Sequence, residues 1–142
     1  MSLTVSLDSS NLAAKLARAK VAAESGLKAG VAAAAQMFEE EEQSTVPVLS
    51  GNLRDHIHTE TVTDTPAVQT LMVTPIEEAA NKYGFEPPYA RRIELGFIGT
   101  DSLGRHYHQA AEPFVQPAFD NKQDEARAAI VDGIQAELSG VA

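Results

Sequence analysis

One long helical stretch near the N-terminus constrains this chain more than any other feature. Leu12, Leu16, Ala19, Ala23, Leu27, Val31, Ala34 and Phe38 recur at spacings of three and four, laying an apolar stripe along a helix from about residue 11 to residue 42. Ser9 or Ser10 offers an N-cap hydroxyl. Thr45-Val46-Pro47 ends the run, because a proline pushes the residue before it out of the helical region. A helix of about 30 residues is roughly 45 Å long. That overshoots the core of a single domain, the size expected of 142 residues. Part of the helix is therefore expected to reach another subunit.

A second stripe runs beside the first: Ala22, Gly26, Gly30 and Ala34, each four residues apart. A glycine inside a helix costs about 1 kcal/mol relative to alanine. Two of them one turn apart point to a place where another backbone approaches closely, in a helix–helix or subunit contact. The helix then runs into Glu39-Glu40-Glu41-Glu42, at the end where the macrodipole favours cations. These carboxylates read either as a solvated helix end or as an electrostatic face turned toward a partner or a DNA channel.

Beyond the helix, Ser50-Gly51-Asn52 marks a turn. The segment 56–63 alternates and is rich in β-branched residues, Asp64-Thr65-Pro66 turns, and 67–74 reads as an antiparallel partner. Glu77 to Tyr83 suggests a helical turn or loop closed by Gly84. Tyr89 to Gly96 fits a short helix or an extended strand, and 97–112 reads as a flexible polar loop. A last helix spans about 117–138, with Phe119, Ala126, Ile130, Ile134 and Leu138 on one face and Gly140 as its stop. The expected fold is α+β: two helices, one of them long, packed on a small, mainly antiparallel sheet within residues 48–96, all in one domain.

Composition narrows the function. A hydrophobic content of 44% supports a core, but aromatics are only 6% and tryptophan is absent, which favours close helix packing. No cysteine is present, which removes disulfides, thiol nucleophiles and cysteine-ligated zinc. Residues 1–8 lack a signal-peptide layout, and the longest apolar run, Val31 to Ala35, falls far short of a membrane span. The expectation is a soluble chain made in the cytoplasm with no membrane partner. A net charge of −9 opposes nonspecific nucleic-acid binding. The only basic groups of note are Lys15, Arg18 and Lys20, and the pair Arg91-Arg92.

Four histidines supply the one sharp catalytic alternative. His56 and His58 share a face of the expected strand, and His106 and His108 repeat the spacing. With Asp55, Glu60 or Asp101 nearby, the two pairs would make a transition-metal site if they met in space. No nucleophile elbow, phosphate-cradling loop or distinct carboxylate pair stands out. Neither a catalytic residue nor a cofactor is assigned.

Three further pieces matter by their order: Leu49-Ser50-Gly51-Asn52-Leu53-Arg54, then Tyr89-Ala90-Arg91-Arg92-Ile93-Glu94-Leu95-Gly96, then Ala111-Glu112-Pro113-Phe114-Val115-Gln116-Pro117-Ala118-Phe119. Together they resemble the gp-ten-like minor structural proteins of lambdoid phages, variously called neck, head–tail joining or tail-completion proteins. In that family a long helix precedes a (Thr/Ser)-Gly-x-Leu-(Arg/Lys) turn, a Tyr-Ala-x-x-aliphatic-Glu-x-Gly segment follows, and a Pro-Phe-aliphatic-x-Pro-Ala lead-in opens the last helix. The order covers nearly the whole chain. The chain departs from the pattern in Phe97-Ile98, which precedes Gly99-Thr100, and in the histidines of 97–112.

The resemblance implies a virion protein at the head–tail interface, assembled in the host cytoplasm. It would act as a hexameric or dodecameric ring between head-side connector or stopper proteins and the tail terminator or tail tube, with DNA passing nearby unbound. The roles expected within it are structural. Gly51 takes a positive φ, Leu53 enters the core, and Glu94 satisfies backbone donors or pairs with Arg54. Pro113 and Pro117 stiffen the approach to the last helix, and Phe114 and Phe119 anchor that helix to the sheet. Tyr89 and Gly96 bracket the middle motif. The small-residue stripe and the loop 97–112 are the candidate subunit contacts. An interaction module outside any phage is the other alternative.

Overall fold

The computed structural model of the chain describes residues 9–48, 51–65, 69–75 and 89–141, with backbone alone at 10, 52, 69–75 and 89. The fold is α+β. Helix α1 spans Ser9–Thr45, α2 Asn52–Asp55, strand β1 Ile57–Asp64, β2 Gln69–Pro75, α3 Tyr89–Leu95, β3 Phe97–Thr100, β4 His106–Gln109 and α4 Val115–Ser139. The expected turn at 77–84 lies outside the described residues, as do Leu49, Ser50 and Pro66. Both candidate cap serines, Ser9 and Ser10, fall inside α1.

The two long helices lie antiparallel. Phe38 stacks on Phe119 with ring centroids 5.8 Å apart, and Asn121 Nδ2 donates to Glu41 Oε1 at 2.9 Å. The seam is made of small residues. Ala22, Gly26, Gly30, Ala34 and Ala35 are buried on α1, and Ala118 and Ala126 on α4. A Cβ added at Gly30 would come within 2.6 Å of the Ile130 Cα, and one at Gly133 within 2.7 Å of the Gly26 carbonyl oxygen. Backbone meets backbone here, which only glycine permits. The small-residue stripe is thus the close helix–helix contact expected of it, but the contact is internal, and as a subunit interface the stripe is corrected.

Gly26→Ala and Gly30→Ala should each lower stability by about 2 kcal/mol, overpacking outweighing alanine's better helix propensity. Urea unfolding checks this; an unchanged midpoint in both variants would mean the helices do not touch at these positions.

Strands β1 and β2 form an antiparallel hairpin, from Ile57 opposite Pro75 to Asp64 opposite Gln69, with its register shifted between Thr61 and Thr63. Helix α1 grips this hairpin with polar side chains. Glu39 Oε2 accepts from both the N–H and the hydroxyl of Thr59 at 2.8 Å. Gln43 Nε2 donates to the Ile57 carbonyl at 2.9 Å, and Lys28 pairs with Asp64.

The segment 97–112 is not the irregular loop expected. Strands β3 and β4 pair antiparallel from Phe97–Gln109 to Thr100–His106, making a second two-stranded sheet. Asp101 organises the connecting turn. Its Oδ1 accepts from the N–H groups of Leu103 and Arg105, both at 2.9 Å, and its Oδ2 from Arg105 Nε at 2.6 Å and Tyr107 Oη at 3.0 Å. Gly104, at φ 77°, supplies the left-handed residue, and its N–H closes the turn on the Asp101 carbonyl at 3.0 Å. The Arg105 N–H bond leads the set of hydrogen bonds that hold the Asp101 carboxyl below its usual pKa.

The core is narrow. Val46, Leu53, Ile57 and Phe114 form one buried cluster, flanked by Ala90, Ile93 and Val115. Phe114 ties α4 to the start of β1 as expected. Phe119 does not reach the sheet: it lies on Phe38 and is half exposed. Among the described residues no helix is long and apolar enough to cross a membrane.

Candidate functional site

The three ordered sequence pieces, far apart along the chain, converge on the core cluster. The first piece contributes a turn. Gly51 is buried at φ 81° and precedes α2, its carbonyl accepting from the Asp55 N–H at 2.9 Å. A side chain there would be strained. Leu53 follows it into the core, while Arg54 turns outward and pairs with Asp55 at 2.9 Å. The expected Arg54–Glu94 pair is replaced by this local one.

The second piece forms α3, the helical alternative for 89–96. Ala90 and Ile93 pack against the cluster. Tyr89 opens the helix, with its side chain outside the described residues. Gly96 closes it at φ 74°, where a Cβ would stand 2.9 Å from the Gln109 carbonyl oxygen. Arg92 lies over the Phe97 ring, 4.3 Å from its centroid.

Glu94 joins the second piece to the third. An α-helix starts with N–H groups that have no partner within it. Here one carboxylate takes three of them: Glu94 Oε2 accepts from Phe114 N–H at 2.6 Å and Val115 N–H at 3.0 Å, and Oε1 from Gln116 N–H at 3.1 Å. Pro117 has no N–H to satisfy, which suits it to the first turn. The next donor, Ala118 N–H, bonds the Phe114 carbonyl at 3.2 Å. Every donor at the start of α4 is accounted for, and Glu94 settles as a backbone acceptor. The opposite charge of the N-terminal dipole adds to its hold.

Glu42 is the residue the sequence reading missed. It is buried at 4% exposure, and its Oε2 has no hydrogen-bond partner. Burial, then the charges of Glu94 and Glu39, push its carboxyl up to about 7. The four-glutamate run is therefore not one face. Glu39 holds β1, Glu42 is inside, Glu41 meets Asn121, and Glu40 is on the surface taking a hydrogen bond from Gln36 at 2.9 Å. As a channel-lining array of four the run is corrected.

The histidines are distributed without a ligand geometry. His56 caps the end of α2, before the strand that was expected to carry it beside His58. His106 Nδ1 lies 2.9 Å from Thr100 Oγ1, and His106 and His108 are exposed on β4. Among the described residues no group of three or more histidine and carboxylate side chains is placed to hold a metal.

Exposed apolar side chains are spread over the surface, Val21, Val62, Leu95 and Val131 among them, and three places stand out. Leu12 and Leu16 lie 54% and 61% exposed near the start of α1; Ile98 and Leu103 lie on the β3–β4 hairpin; and Phe119 is 50% exposed at the other end of the helix pair. Comparison of the chain with family models, with curated proteins and with solved structures returns no match.

Proposed function

We propose that this chain is a structural subunit of a tailed-phage neck, acting by assembly into a ring at the head–tail junction rather than by catalysis. The observation that carries this reading is the interlocking of the three ordered motifs. Gly51 and Leu53, Ile93 and Glu94, and Phe114 and Pro117 build a single scaffold around one core cluster. Residues that resemble a family's motifs through structural need should cooperate in this way. The roles seen for Gly51, Leu53, Ile93, Glu94 and Phe114 are turns, caps and packing. Exposed leucine, isoleucine and phenylalanine side chains on separate prominences suit a subunit with two unlike contact patches, as a closed ring of heterologous contacts requires.

Particles of the phage or prophage that encodes the chain test this. Purified virions should contain it in several copies at the neck by mass spectrometry and electron microscopy. Deletion of its gene should yield DNA-filled heads and tails that fail to join. Its absence from virions, or normal particles without it, would sink the reading.

A further inference from the structure

The helix pair is uneven at one end and polarised in charge. Gly26 faces Gly133 and Gly30 faces Ile130. On that register the end of α4 at Ser139 falls level with Lys20, so Ser9–Ala19 continues past α4 for about 16 Å. Residues 11–18 are exposed throughout, Leu12 and Leu16 included. Lys15, Arg18 and Lys20 stand on or beside this extension; α1 has no carboxylate from residue 9 to residue 23, and Glu137 of α4 lines the same hollow as Ala17 and Arg18. Of the three, only Lys20 has an ion-pair partner among the described residues, Glu24 at 3.8 Å.

The far end of the pair has the opposite sign. Half-exposed Phe119 is an apolar centre, with Asp120 beside it on α4 and Glu40 and Glu41 on α1. The nearby cation Lys122 is engaged by Glu125 at 3.0 Å. Its ammonium is held above the usual range by that partner first, with Glu41 and Glu40 adding to the effect.

Helix α1 has no acidic residue in its first turn and no basic residue in its last. An apolar pair rimmed with cations at one end thus matches an aromatic centre rimmed with carboxylates at the other. The two ends lie too far apart on one rigid helix to meet within a molecule.

We propose that the Leu12–Leu16 extension of one copy docks on the Phe119 end of a second copy, Lys15 and Arg18 facing its Glu40 and Glu41. The contact is heterologous, so repetition yields a ring or a filament. The proposal rests on the assembly reading above and supplies its interface.

The chain has no cysteine, which makes disulfide trapping clean. Leu16→Cys and Gln116→Cys chains, both altered at exposed positions, are mixed under oxidising conditions up to millimolar concentration. The mixed 16–116 dimer should outweigh either homodimer by about tenfold. Adding Lys15→Glu and Arg18→Glu to the first chain should cut its yield by about tenfold, as expected for two rim ion pairs replaced by repulsion. Yield should recover when the second chain carries Glu40→Lys and Glu41→Lys. A dominant 16–16 dimer, no mixed dimer, or indifference to charge reversal would overturn the contact. Location at the neck of the virion is scored separately, so a subunit that assembles by another surface is told apart from a chain that is no virion protein.

Discussion

Glu94→Ala is expected to lower the unfolding free energy by about 3 kcal/mol, because three backbone donors lose a charged acceptor at once. Phe114 N–H is the costliest of the three, since its residue is fully buried and water replaces the carboxylate there least easily. Glu94→Gln keeps one acceptor oxygen and loses the charge that complements the helix dipole, so its loss should be about half as large. Glu94→Asp should resemble alanine if the shorter side chain fails to span from α3 to α4. Urea unfolding ranks the three variants. Amide hydrogen exchange adds a readout that a general loss of packing would not produce: protection should fall first at Phe114, Val115 and Gln116. Alanine and glutamine variants as stable as the parent would remove Glu94 from its place as the clasp between the second and third motifs.

How far the structure was legible in the sequence depends on what each pattern measures. Helical periodicity marked α1 and α4 within a few residues, and the β-branched run marked β1. Periodicity shows which residues share a face, but not which face meets a partner. On α1, Leu12 and Leu16 belonged to the more hydrophobic stripe yet are exposed, because α4 ends before reaching them. The seam instead follows Gly26 and Gly30, where the gain comes from backbone proximity that hydrophobicity does not register. The hairpin 97–109 escaped because β4, His106–Gln109, is polar and exposed on both faces, leaving no alternation to read. Its one signal was Asp101 followed three residues later by Gly104, the pattern of a type I turn. Among the site residues, Gly51, Leu53, Glu94 and Phe114 took roles their chemistry announced. Glu42 did not, since nothing within a run of four identical residues tells which one a later segment will cover.

Burial of that one carboxyl has a pH signature, and Glu42→Gln should isolate it. The Glu42 carboxyl is raised from its ordinary 4.5 to about 7, by burial first and then by the negative charges of Glu94 and Glu39. The folded chain therefore holds this proton over a range in which the unfolded chain has released it. Stability from this group is full below about pH 4.5, declines as the pH rises toward 7, and is gone above it. Two and a half pH units correspond to roughly 3 kcal/mol between the ends of that window. Glutamine keeps the shape, cannot ionise, and brings an amide that can donate to the neighbouring carboxylates. The variant should match the parent near pH 4.5 and exceed it by up to roughly 3 kcal/mol at pH 8, by urea unfolding across the series. Parallel stability profiles for parent and variant would show that Glu42 is solvated in the folded protein. A gain confined to high pH would place the ionised carboxylate among the features that keep the protein less stable at neutral pH than its packing allows.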